Sequence, residues 1–218
     1  MEQVKACIFD LDGTLLDTLK DLTVLTNTTL DRMGYPTHTS EEICSYIGGG
    51  ARPLIEQAVP SGTNKTDVDR ALALWKKLYP ECGYTYTKPF DGIVEVLDML
   101  HEQQIKIGIL SNKFNQAARY AVHRYLPGKA DFVHGEGKGF PRKPDPIGLL
   151  ASIAALGVLP QQTVYVGDSP TDIEVAQRAG THSVGVSWGY HPGSDLVEAH
   201  ADRVIDAPKE FLTKGLCF

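Results

Sequence analysis

The sequence predicts an α/β fold, a doubly wound parallel sheet carrying a small all-helical insertion near its start. Three observations carry this expectation. Short apolar runs at residues 4–9, 105–110, 163–166 and 182–186 read as strands buried on both faces. Amphipathic helical patterns at 93–103, 116–125, 146–156 and 171–179 alternate with them, which is the rhythm of a sheet covered by helices. Between positions 17 and 88 that rhythm stops, and only helical periods are found.

The first strand ends at Asp10. The insertion then offers helices at 19–33, 41–47, 52–59 and 67–79, punctuated by Gly34-Tyr35-Pro36, Gly48-Gly49-Gly50 and Pro60-Ser61-Gly62. Asp91-Gly92 opens the next core helix, and Gly180 closes the helix that begins at Thr171. Residues 1–16 and 89–218 are therefore expected to form one domain and residues 17–88 a second.

Composition narrows the class. Hydrophobic residues make up 42% and charged residues 22% of 218, which suits an ordinary folded protein and argues against disorder or coiled coil. A net charge of -6 gives no support for a nucleic-acid or anionic-membrane partner. No apolar run is long enough to span a bilayer, and the opening MEQVKACIFD lacks the layout of a signal peptide, so a cytoplasmic location is expected. Cys7, Cys44, Cys82 and Cys217 lie far apart and are expected to be plain thiols. Without a secretion signal, the sequons at Asn27 and Asn64 carry little weight.

In open parallel sheets ligands bind beyond the carboxyl ends of the strands. The residues found there are Asp10-Leu11-Asp12-Gly13-Thr14, Ser111-Asn112-Lys113 and Gly167-Asp168-Ser169-Pro170-Thr171-Asp172. Lys143 precedes a helix in Arg142-Lys143-Pro144-Asp145-Pro146. Converging, these loops would bring several carboxylates together with a lysine and a hydroxyl, an arrangement that repels itself unless a cation sits within it. Oxygen ligands without His or Cys suit Mg²⁺, and phosphoryl transfer is the chemistry such a site serves.

The ordered set D-x-D-G-T, S-N-K, Lys-Pro and G-D-S-x-x-D resembles the four motifs of the haloacid dehalogenase superfamily, and the resemblance covers essentially the whole chain. It implies a Rossmann-like core with a helical cap, and a phosphatase in which Asp10 is the nucleophile and Asp12 the general acid and base. It further implies that Mg²⁺ is held by the Asp10 side chain, the Asp12 carbonyl and Asp168, with Asp172 behind them or bound through water. Ser111, Asn112 and Lys143 would bind the transferring phosphoryl group, and Thr14 is a further substrate-binding candidate. Lys113 is read as a solvated neighbour, since the lysine role falls to Lys143.

Asp12 argues against carbon-halogen and phosphonate cleavage, whose enzymes depart from D-x-D. The stretch Tyr46-Ile47-Gly48-Gly49-Gly50-Ala51-Arg52 resembles the specificity loop of the phosphoglycolate phosphatase subgroup, which makes Gly49 and Arg52 substrate-binding candidates; Arg52 could equally decorate a helix. Gly185-Val186-Ser187-Trp188-Gly189-Tyr190 and the segment 201–205 resemble that subgroup's C-terminal strands and loop, with Trp188 and Tyr190 read as packing or loop residues rather than substrate contacts. The expected partner is a small-molecule phosphate ester, met by a monomer or homodimer. A β-phosphoglucomutase-like phosphomutase, a pyrophosphatase and a catalytically silent binding protein remain the alternatives; the mutases carry Glu-Asp where this chain has Gly167-Asp168.

Overall fold

The computed structural model describes residues 3–137 and 139–214, so Cys217 lies outside the described residues. The chain divides into two compact units, residues 1–16 with 89–218 and residues 17–88.

In the first unit the strands are β1 (Ala6–Phe9), β4 (Lys106–Phe114), β5 (Phe132–Glu136), β6 (Thr163–Gly167), β7 (His182–Val186) and β8 (Arg203–Ile205). Two short strands, β2 (Leu16–Asp17) and β3 (Lys88–Pro89), pair separately where the chain passes between the units. The helices of this unit are α5 (Ile93–Glu102), α6 (Asn115–Tyr125), α7 (Ile147–Leu156), α8 (Pro170–Ala179), α9 (Gly193–Glu198) and α10 (Lys209–Lys214). The six-stranded sheet runs β5-β4-β1-β6-β7-β8, and every pairing is parallel. The chain builds outward from β1 to one side and then returns to build to the other, so β1 stands where the winding reverses.

Alternation along β1 explains the layers. Ala6 and Ile8 pack with Leu149 and Ile153 of α7 and with Val175 and Ala176 of α8. On the other side Phe9 meets Phe211 of α10, with ring centroids 6.4 Å apart. Both faces of β1 are thus buried, which is why its sequence is continuously apolar. Register sets Phe9 beside Ile109 and Val166. At this edge of the sheet Asp10 follows β1 and Asp168 follows β6, while Ser111 stands within β4 just past its pairing with β1.

Strand β5 was not expected from the sequence. It lies at the sheet edge, is mostly half-buried, and contains His134, Gly135 and Glu136, so it shows no apolar run.

The second unit consists of α1 (Leu19–Arg32), α2 (Ser40–Tyr46), α3 (Ala51–Ala58) and α4 (Lys65–Cys82). Thr39 and Glu42 form a capping box at the start of α2, and Asn64 caps α4. Helix α4 continues past Tyr79 through Pro80, where the sequence suggested a stop; near a helix end the proline removes a single hydrogen bond. Trp75 packs edge-on against Tyr79 and donates its indole N–H to Thr26. Among the described residues no helix is long and apolar enough to cross a membrane.

Candidate active site

Asp10, Asp168 and Asp172 converge at the strand ends, each offering an oxygen within 4.8 Å of the others'. Asp10 follows β1, with its N–H donated to the Val166 carbonyl at 2.8 Å. Asp168 follows β6, and Asp172 lies in the first turn of α8, where its Oδ2 accepts from the Ser169 N–H and hydroxyl. The Lys143 ammonium sits 2.9 Å from Asp10 Oδ1 and 2.7 Å from Asp172 Oδ1. Asp10 Oδ1 is buried yet accepts no hydrogen bond of good angle, so the lysine balances its charge without saturating the oxygen.

Burial and like charge shape the titration here. Burial raises the Asp10 carboxyl to about 6; Lys143 opposes the rise while Asp172 and Asp12 add to it. Burial likewise raises Asp168 to about 8, reinforced by Asp172 and Asp10 and resisted by donors from Tyr190 and Thr14. Burial alone would lower Lys143, but Asp10 and Asp172 outweigh it and hold the ammonium well above its ordinary range. With Asp12 and Lys113 included, four carboxylates face two ammonium groups, so the fully ionised corner carries two excess negative charges. A divalent cation would neutralise that excess. The donors are all hard oxygens, one without a hydrogen bond, and they fit Mg²⁺.

Each strand-end loop holds the next. Asn112 grips the main chain of Lys143, accepting its N–H at 2.9 Å and donating to its carbonyl at 3.3 Å. The peptide that follows Lys143 is cis. Asn112, expected to meet the phosphoryl group, also places the lysine through these two contacts. The Thr14 hydroxyl is fully buried and donates to Asp168 Oδ1 at 2.9 Å, so it orients that carboxylate.

Lys113 departs furthest from expectation. It is buried, and its Nζ lies 2.9 and 3.0 Å from the two oxygens of Asp12. Asp12 spends its carboxylate there and stands outside the three-carboxylate cluster, leaving its main-chain carbonyl as the group it could offer a metal. Ser111 Oγ, at the end of β4, accepts the N–H of Lys113 at 3.2 Å.

The loop after β7 completes the corner. Tyr190 donates its N–H to Asp168 Oδ2 at 2.8 Å, and Trp188 donates its indole N–H to the Thr14 carbonyl at 3.1 Å. Gly189 and Gly13 pack directly on Asp168: a Cβ on the first would lie 2.3 Å from the Asp168 Cβ, and on the second 2.3 Å from its Oδ2. Trp188 and Tyr190 are therefore supports of the site rather than mere packing. The sequence marks them only through the resemblance of this loop to the phosphoglycolate phosphatase subgroup's C-terminal loop.

Gly49 and Arg52 belong to the helical unit. The Arg52 guanidinium lies 2.6 Å from Asp69 and 3.4 Å from Glu56, so of its two readings the structure supplies contacts for the helix-surface one.

A model of the haloacid dehalogenase-like hydrolase family matches residues 7–186. The phosphoglycolate phosphatase of Aquifex aeolicus is 32% identical over 188 residues, 86% of each chain. The N-acetylmuramic acid 6-phosphate phosphatase of Pseudomonas aeruginosa is 30% identical over 226 residues, 99% of this chain and 97% of that one. A crystallised protein of Lactobacillus delbrueckii subsp. bulgaricus, 29% identical, superposes over 100% of both chains with a TM-score of 0.92.

Proposed function

This chain belongs to the haloacid dehalogenase-like hydrolase family and is a phosphatase, and from that premise we propose how it acts and on what. The observation that carries the mechanism is the buried cluster of Asp10, Asp168 and Asp172 beside Lys143. Asp10 attacks the phosphorus of a small phosphate monoester, forming an aspartyl-phosphate as the ester P–O bond breaks. Asp12 gives its proton to the departing oxygen. Asp12, now a carboxylate, then takes a proton from the water that attacks the aspartyl-phosphate, which frees Asp10 and releases inorganic phosphate. Ser111 and Lys143 hold the transferring oxygens, where negative charge accumulates. Asp10, Asp168 and the Asp12 carbonyl, with Asp172 behind them, would hold Mg²⁺, which would supply electrostatic stabilisation of that charge.

Gly167 speaks against the phosphomutase alternative. A Cβ at this position would lie 2.2 Å from the Asp172 Cγ, so the Glu that such mutases carry there would displace a member of the cluster.

For the substrate, the relatives' names point to phosphoglycolate and to a sugar acid 6-phosphate. Both are phosphate monoesters that also bear a carboxylate, and that shared chemistry is the class we assign, with phosphoglycolate first. We assign residues 17–88 the part of the family's helical cap domain and the cytoplasm as the place of the reaction. The test is phosphate release from phosphoglycolate, N-acetylmuramic acid 6-phosphate, hexose phosphates, nucleotides and pyrophosphate, each with Mg²⁺ and with EDTA. Magnesium-dependent release strongest on the two carboxylate esters is expected. Preference for a neutral sugar phosphate or pyrophosphate would discard the substrate class, and release undiminished by EDTA would discard the metal.

A further inference from the structure

Two buried lysines serve this corner, and the mechanism above uses only one of them. Lys143 answers Asp10 and Asp172, whereas Lys113 grips both oxygens of Asp12. From Leu110 to Phe114 the chain advances four residues while its neighbour β5 advances two, from His134 to Glu136, so the end of β4 is irregular. In this stretch Asn112 turns to the Lys143 main chain and Lys113 to Asp12. The Lys113 N–H on Ser111 Oγ further fixes the distance between the residue assigned to the phosphoryl group and the one that reaches the acid.

We propose that Lys113 is a positioning residue that locks the orientation of the Asp12 carboxylate for proton transfer; this rests on the acid-base role given to Asp12 above. An aspartate has two rotatable side-chain bonds. A donor that bridges both oxygens from a buried, immobile stem leaves it one orientation. Without that grip the Asp12 proton meets the departing oxygen less often, and the loss scales with how badly the leaving group needs it. In this step the bond from the Asp10 oxygen to phosphorus forms and the ester P–O bond breaks. The electron pair passes to the ester oxygen, which receives the proton from Asp12. An alkoxide depends on that proton, whereas 4-nitrophenolate departs without it.

The experiment compares kcat/KM on glycerol 3-phosphate and on 4-nitrophenyl phosphate, both with Mg²⁺, for the parent, Lys113→Met, Lys113→Arg and Asp12→Asn. Neither ester carries a carboxylate, so a lost contact between Lys113 and a substrate carboxylate cannot imitate the effect. Lys113→Met is expected to lose at least about tenfold more on the alkyl ester than on the aryl ester, with Lys113→Arg recovering part of the difference. Equal losses on both esters, beside a steep alkyl-selective loss in Asp12→Asn, would overturn the positioning role and leave the acid in place. An Asp12→Asn variant with no selectivity would remove the acid assignment, and the proposal with it. Should Lys113→Met fail to fold, Lys113→Gln is read on the same ratio.

Discussion

Each unit buries an aspartate almost completely, and the two are treated in opposite ways. Asp21, 1% exposed in the helical unit, is surrounded by donors: the N–H groups of Thr85, Tyr86 and Thr87, and the Thr87 hydroxyl at 2.6 Å. Asp168, 2% exposed in the other unit, receives one N–H and one hydroxyl and then faces Asp10 and Asp172. The first carboxylate ties the end of the insertion to its beginning. The second belongs to a crowd of like charges that lowers stability until a cation arrives. A buried carboxylate met by neutral donors is structure, and one met by other carboxylates is a site.

The sharpest way to break this contrast is Asp10→Asn. Phosphate release should fall below about 10⁻⁴ of the parent rate. Calorimetry on the metal-free protein should nevertheless show a melting temperature unchanged or raised, because one of the repelling charges is gone. Asp21→Ala should do the reverse, costing about 3 kcal/mol in denaturant unfolding by stranding buried N–H groups while Mg²⁺ affinity is retained. Equal stability losses in the two variants would erase the distinction.

The metal and pH sharpen it further. Mg²⁺ at a hundred times its Kd should stabilise the protein by about 2.7 kcal/mol, a shift that Asp168→Asn should abolish. Without metal, Asp10 at about 6 and Asp168 at about 8 hold protons more tightly folded than unfolded, where about 3.9 is usual. Stability from that source is complete below about pH 4 and is lost as pH rises toward about 8. A melting series in EDTA should therefore decline over that range, and Mg²⁺ should flatten it. A flat EDTA series would mean that the carboxylates do not repel one another.

The smallest expected effect is that of Trp188→Phe. It keeps the ring, removes the hydrogen bond to Thr14, and should weaken Mg²⁺ about tenfold by titration calorimetry with little change in melting temperature.

The sequence made the sheet legible where strands are buried on both faces: the reading of 182–186 is the observed β7, and β1 differs from its reading by two residues at one end. It concealed β5, because an edge strand need not be apolar. At the site, the residues immediately after strand ends were visible as motifs. What those residues do to one another was not, since Thr14 to Asp168, Asn112 to Lys143 and Lys113 to Asp12 are contacts across distant parts of the chain. Lys113 was read as solvated because the lysine role fell to Lys143; only the fold supplies the Asp12 carboxylate that holds it inside.

Between Leu110 and Phe114 the chain spends four residues against two of β5, and the surplus sits where Ser111, Asn112 and Lys113 stand. That extra length of chain lets a hydroxyl, an amide and an ammonium from three consecutive residues serve separate partners, a freedom that a strand held in register along its whole length would not have. Loop grafting at this strand would have to carry the irregularity with it.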